Sequence, residues 1–303
     1  MSLITVTQIA SMLRPGLAGI VQPAAAYDPQ WTEIFTRRSS DKEREIILEV
    51  KPLGLAQLKS EGASVAFDSM HQTYTTTFVN RYVALGFIIT RQAIMDNLYK
   101  EKFKANAEGL RDSLRITKEI LASSVLNNGF DSNFPLGDGK ALFATDHPIS
   151  GGPGIVANTF SVQADLSQAS LQDAYNAVEA FRDPAGLLRQ YRVKKMVVHR
   201  NNRWVAERLL GSEYVPDSGN NAINPLKSTK AVPEGYKVNQ YLTNTKAWFL
   251  LTDAPEGFIY FDRESVTTDS YVDFATQNAM FQGFERYSFG VANFRAGFGS
   301  SGS

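Results

Sequence analysis

The sequence predicts an α+β fold, and three stretches carry the prediction. From Asn97 to Asn127, Phe103, Ala107, Leu110, Leu114, Leu121 and Val125 recur at helical spacing. Lys102, Lys104, Glu108, Arg111, Asp112, Arg115, Lys118 and Glu119 fill the other faces. A helix of about 30 residues is about 45 Å long, a length suited to a beam that other elements pack against. Ahead of it, Glu43 to Tyr82 is rich in Ile, Val, Thr and Tyr and reads as a long β excursion. Behind it, from Ser170 to Phe261, helical and extended patterns alternate as in a compact α/β unit, and a glycine- and aromatic-rich β segment closes the chain.

Composition narrows the function before any motif is considered. At 303 residues the chain is long enough for one large or two moderate cores. It has no cysteine, which removes disulfides, thiolate metal sites and thiol nucleophiles. Formal net charge is zero, so the strong basic patch of a sequence-specific nucleic-acid reader is not expected. No apolar run approaches a membrane span, and no membrane partner is expected.

The beginning of the chain reads as an arm. Val6 to Leu13 forms a short helix in this reading, which Pro15, Gly16 and Gly19 interrupt. Trp31, Ile34 and Phe35 then offer an apolar anchor for a neighbouring subunit. In the excursion, Glu45 to Val50 is one strand, Pro52 and Gly54 punctuate it, and Val65, Phe67 and Tyr74 to Tyr82 return. A two-stranded ribbon is marginal when isolated, so Ile47 and Phe67, with Lys59 and Glu61 near the tip, are expected to touch another subunit. Thr90 is placed to cap a helix leading into the beam, and Asn128-Gly129 to end the beam with a left-handed residue.

Chemistry-bearing residues are few. Asp146 and His147 form the most tempting pair, but adjacent side chains on an extended segment diverge, so a triad geometry is not expected. The histidines His71, His147 and His199 stand in unrelated contexts, and no metal, cofactor or catalytic site is expected. Gly151-Gly-Pro-Gly154 lacks the Lys-Ser/Thr of a phosphate loop. Ser170 and Asp173 read as a capping box for a helix whose buried face is Leu171, Ala174, Tyr175, Val178 and Phe181. Lys194 to His199 and Ala247 to Leu251 read as strands, and Arg203 to Leu210 as a short helix.

Three segments, taken in order, carry a resemblance: Leu136-Gly-Asp-Gly-Lys-Ala-Leu-Phe-Ala-Thr-Asp-His-Pro148, Asn221-Ala-Ile-Asn-Pro225 and Tyr241-Leu-Thr-Asn-Thr-Lys-Ala-Trp-Phe-Leu-Leu251. With the order of elements, they make the chain resemble major capsid proteins of tailed phages with the HK97 fold, and within these the Mu-like major head subunit group. The resemblance implies an HK97-like capsid fold with an N-terminal arm (1–38), an extended loop region (39–82), a peripheral domain with its spine helix (83–159), an inserted axial α/β domain (160–261) and a return to the peripheral domain (262–303). It implies a non-enzymatic head protein that self-assembles as hexamers and pentamers into an icosahedral shell around double-stranded DNA. The expected partners are further copies of the chain, a separate scaffolding protein, a portal, a decoration protein and packaged DNA in non-specific proximity. Assembly is expected in the host cytoplasm and residence in the virion. Some relatives join subunits through Lys-Asn bonds; Lys59 and Glu61 have no local pattern fixing an Asn partner, and no such bond is expected. Two other classes fit less of the pattern. A tail tube or head decoration protein lacks a spine helix followed by an inserted unit, and a soluble α/β hydrolase would need chemistry from Asp146 and His147.

Overall fold

The computed structural model describes residues 6–21, 28–62, 64–96, 99–152, 154–215 and 222–303. Helix α1 (Val6–Val21) leads to strand β1 (Thr36–Ser39). Strands β2 (Arg44–Lys51) and β3 (His71–Val79) form the ribbon of the excursion, and β4 (Arg81–Ile89) enters the body. A short α2 (Arg91–Met95) precedes the long α3 (Tyr99–Asn127). A two-stranded clip comes after it, β5 (His147–Pro148) with β6 (Ile155–Val156). Next come α4 (Gln168–Glu179), β7 (Val193–His199), α5 (Arg203–Gly211), α6 (Pro225–Ser228), β8 (Tyr236–Asn239) and β9 (Trp248–Thr252). The chain finishes with a long hairpin, β10 (Phe258–Val272) and β11 (Ala279–Val291), and β12 (Gly297–Ser300).

Two four-stranded sheets result, ordered β1-β10-β11-β4 and β12-β9-β7-β8. The long helix serves both. Phe103, Ala107, Leu110 and Leu114 bury against the first sheet with Ile89 and Phe281. Ala122 and Leu126, two turns further on, bury in the larger core under the second sheet, with Leu171, Ala174 and Val178 of α4, Met196 to Val198 of β7 and Trp248 to Leu251 of β9. One amphipathic stripe therefore spans two cores. Side-chain hydrogen bonds add direction to that contact: Asn239 Nδ2 donates to Ser123 Oγ at 2.8 Å, and Asn127 Nδ2 donates to the Tyr241 carbonyl at 3.0 Å.

Several expectations change. The arm helix does not stop at Leu13; it continues through Pro15 to Val21 and lies against α3, β10 and β11. A proline inside a helix costs about 3 kcal/mol, while each large apolar side chain fully buried returns about 1.5–3 kcal/mol. Leu17 and Val21 are buried and Leu13 and Ile20 half-buried on one face, which outweighs the proline. The expected start of the long helix, Asn97, lies outside the described residues, as do Met1 to Thr5 and Gln22 to Tyr27 of the arm and Asn221 of the Asn-Ala-Ile-Asn-Pro segment. Gly129 follows α3 but is not left-handed. Its need is space, since a Cβ there would lie 2.7 Å from the Phe143 ring. The cap of α4 is Ser167, paired reciprocally with Ser170, rather than Ser170 with Asp173. Residues 52–62 and 64–70 carry no strand, so Val65 and Phe67 lie ahead of the returning strand rather than in it. Gly257 to Phe261 reads in sequence as part of the α/β unit, yet Phe258 begins β10 of the first sheet. The last strand, in turn, leaves the hairpin's sheet and pairs with β9 in the second.

Candidate assembly surface

Among the described residues, 53–62 and 64–72, the distal part of the β2–β3 excursion, are exposed throughout. Along β2 the side chains alternate: Ile46, Leu48 and Val50 are exposed, and Glu45, Ile47, Glu49 and Lys51 are half-buried. This period of two is what an extended backbone dictates when one face meets a body and the other does not. Ile47 packs beside Phe78, Ile259 and Phe261. Beyond Lys51 the chain exposes Leu53, Leu55, Leu58, Val65, Phe67 and Met70, with Phe67 95% exposed. Lys59 and Glu61 are exposed there too. Isolated exposed apolar residues are ordinary, and this succession of them along one segment is not.

Three devices root the ribbon. Asn80, buried between β3 and β4, donates from Nδ2 to Ser40 Oγ and to the Lys42 carbonyl, both at 2.9 Å, and accepts from Ser288 Oγ at 2.9 Å. Phe78 sits over Gly290, where a Cβ would approach its ring to 2.7 Å. Glu49 meets Arg295, whose Nη1 donates to Glu49 Oε1 at 2.8 Å. None of these was legible in the sequence, since each joins residues distant in the chain through a short polar side chain or the lack of one.

The segment entering β1 is held from two sides. Glu119 of α3 accepts from the Gln30 and Trp31 amides at 2.8 and 3.2 Å, capping a single 3-10 turn from outside it. Glu33 accepts from Lys195 Nζ at 2.6 Å and from Lys237 Nζ at 2.9 Å. These hydrogen bonds, Lys195 first and Lys237 second, hold the Glu33 carboxyl below its ordinary value against a smaller opposing effect of burial. Trp31 packs on Tyr260 and Phe289, and Phe35 on Phe258 and Phe289. Phe35 is buried in its own chain's core, and Trp31 is half-buried against it. The side chains these two were expected to offer a neighbour are thus turned inward, because β1 pairs with β10 and seats them on Phe258, Tyr260 and Phe289. Ile47 is likewise on the inward face of the ribbon, while Lys59, Glu61 and Phe67 lie on its exposed end.

The Asp146–His147 pair diverges. Asp146 is exposed and paired with Lys140. His147 is fully buried, with Nδ1 2.6 Å from Asp138 Oδ2, Nε2 3.2 Å from Asn158 Oδ1 and its ring stacked on Phe294 at 3.9 Å. Asn158 also donates to the carbonyls of Leu142, Phe294 and Gly297 at 2.7, 3.0 and 3.3 Å. This arrangement fastens the 136–148 segment to the chain's closing strand; the imidazole faces no open cleft. His71 is exposed in the ribbon, and His199 accepts from the Asn201 amide. Among the described residues, no group of three or more His, Asp or Glu could hold a metal ion, and no helix is long and apolar enough to cross a membrane.

A spine helix shared by two sheets, with a projecting ribbon in front of it, defines the class as HK97-type. Solved structures agree on the fold. A chain of Microbacterium phage Oxtober96 is similar over 100% of both chains at 13% identity, with a TM-score of 0.54. A procapsid chain of bacteriophage JBD30 is similar over 97% of this chain and 75% of its own at 15% identity, also with a TM-score of 0.54. A holo-encapsulin complex from Synechococcus elongatus is similar over 93% of this chain and 91% of its own at 12% identity, with a TM-score of 0.53. No curated protein matches the sequence. Residues 73–299 match the family model described as phage capsid protein, and the chain belongs to that family. It is a major capsid protein, structural in role, whose place is the capsid of the virion.

Proposed function

We propose that copies of this chain close into an icosahedral shell of hexamers and pentamers around double-stranded DNA, with each ribbon resting on a neighbouring subunit. The observation that carries this is the run of exposed apolar side chains from Ile46 to Met70 on a segment whose root is polar, buried and fixed. Covering a Leu or Phe side chain returns about 1.5–3 kcal/mol, while ordering a loop residue costs about 1–2 kcal/mol, so the gain is largest for Ile46, Leu48 and Val50, whose strand is already paired. A few such contacts, repeated around a closed surface, suffice to hold it. In this reading the second sheet with α4 and α5, residues 160–261 in the main, is the axial domain, and the first sheet with α3 is the peripheral domain. A scaffolding protein, a portal and a decoration protein are the further partners, and assembly takes place in the host cytoplasm. The three ordered segments from Leu136 to Leu251 support a place among Mu-like head subunits.

The paired substitutions Ile46→Asp and Ile47→Asp test the role of the ribbon. Ile46→Asp, on the exposed face, should leave the melting temperature of the free subunit within about 1 °C, since surface changes usually fall within ±0.5 kcal/mol, and should abolish particles in negative-stain micrographs. Ile47→Asp should lower the melting temperature by several degrees through burial of a charge beside Phe78. Normal particles from Ile46→Asp would remove the ribbon from the assembly contact.

A further inference from the structure

The ribbon changes character at Glu49. Leu48 pairs with Thr75 and Val50 with Gln72, so two steps on β2 answer three on β3, and the ladder carries a bulge there. Bulges bend a ribbon and re-aim the side chains beyond the bend. The same residue makes the ion pair with Arg295, and Thr73, in the bulge of β3 opposite it, donates to both Glu49 Oε2 at 3.0 Å and the Glu49 carbonyl at 3.1 Å. On the root side of Glu49 the ribbon is held by Ile47, Phe78 and Asn80. On the tip side lie Val50, the loop and its exposed apolar residues.

Arg295 is built to keep its place whether or not Glu49 stays. Its side chain is 1% exposed. Nε donates to the Arg182 carbonyl at 2.5 Å, Nη1 also reaches Asn293 Oδ1 at 3.3 Å, and the guanidinium stands 4.3 Å from the Phe294 ring. Phe294 is also stacked on His147, which Asp138 and Asn158 fix. A cavity of about 170 Å³ lies beside the pair, between Ile47 to Val50 on one side and Pro184, Tyr191 and Asn293 on the other. The root thus has a hinge, a charged contact with a rigid backing, and free volume next to it.

We propose that Glu49 and Arg295 form a releasable latch that sets the angle of the distal ribbon, residues 50–72, relative to the body, with the bulge as its hinge. Closed, the pair holds the ribbon at one angle. Open, Arg295 keeps its contacts with Arg182, Asn293 and Phe294 but loses the Glu49 carboxylate, so the closed form dominates in the free subunit and the ribbon swings about Glu49 only where water or a neighbour compensates the charge. Both residues are positioning residues for the contact surface. The latch works within one chain, so its failure is read separately from failure of the assembly contact.

The test uses the full chain, which has no native cysteine to interfere with labelling. Spin labels are placed at Gln72→Cys, exposed on the paired strand just beyond the bulge, and at Arg208→Cys on α5, and their distance distribution is measured in free subunits. The parent should give one narrow distribution. Glu49→Gln should at least double its width, and Glu49→Asp, which keeps the charge, should restore most of the narrowness. If Glu49→Gln does not fold, the double variant Glu49→Leu with Arg295→Met, which removes the pair without leaving a buried charge unpaired, is judged on the same broadening. A distribution as narrow as the parent's in the variant that folds, with a lower melting temperature alone, would make the pair merely structural and overturn the latch.

Discussion

Leu17→Ala distinguishes an arm helix that belongs to the subunit's own core from one that is only a tether. Leu17 is fully buried among Phe103, Leu110, Leu114 and Phe281, on a helix that runs through a proline. Truncating a core leucine to alanine costs about 2–5 kcal/mol, the larger values going with sites that cannot collapse. Leu17 lies between α1, the long helix and the first sheet, where two rigid elements limit collapse, so about 3–4 kcal/mol is expected. For a chain of this size a kilocalorie per mole lowers the melting temperature by about 2 °C, giving a fall of roughly 6–8 °C. Pro15→Ala supplies the opposite sign: the residue is exposed, and replacing it restores a helical hydrogen bond and relieves a penalty of up to about 3 kcal/mol. Both are measured on free subunits by thermal unfolding followed by circular dichroism. A shift below about 1 °C for Leu17→Ala, well under the smallest core value, would refute the packing of α1 on its own body and return the arm to the role of a tether.

The polar contacts give two more expected outcomes. The Glu33 carboxyl is held low chiefly by Lys195, so its stabilisation is complete above the ordinary carboxylate value of 4.5 and is lost as pH falls through the lower folded value. Glu33→Gln should therefore melt below the parent at pH 7, with the difference closing in acid; a difference constant with pH would dismiss the ion pairs as its source. Asn158→Ala strands the Leu142 carbonyl and the Ala144 amide, takes a donor from the carbonyls of Phe294 and Gly297, and removes the acceptor facing His147. Each buried orphan costs about 1–3 kcal/mol, so a loss of at least about 3 kcal/mol in urea unfolding is expected, and a loss under about 1 kcal/mol would contradict the network.

The beam, the ribbon and the alternation behind them are legible because they rest on periodicity, which acts within a dozen residues. Phe103 to Leu114 declare a buried face, and Glu45 to Val50 a strand. What stays hidden depends on long-range choices. The arm reads as broken at Pro15 because local propensity weighs against it, and only the cluster that receives Leu17 reverses the sign. Trp31 and Phe35 read as apolar anchors, but sequence gives no address for an anchor; β1 pairing with β10 turns them inward. The choice of Ile47 over Ile46 as a contact is a matter of parity, fixed by which face of the ribbon meets Phe78. Asn80, Asn158 and Arg295, the residues that fasten the ribbon and the closing strand, are single polar letters with no pattern around them.

The alternation along β2 also limits how such a chain can change over generations. Between Arg44 and Lys51 the side chains answer strictly to odd and even, so one inserted residue would turn Ile46 and Leu48 toward the body and lift Glu49 away from Arg295. Two inserted residues would restore the parity and lengthen the reach by about 6.5–7 Å. Past Lys51 no ladder enforces such a count, and 53–62 can gain or lose residues singly. Drift in length should therefore come in even steps near the body and in any step at the tip, so that one lineage can fit shells of different curvature without repacking its core.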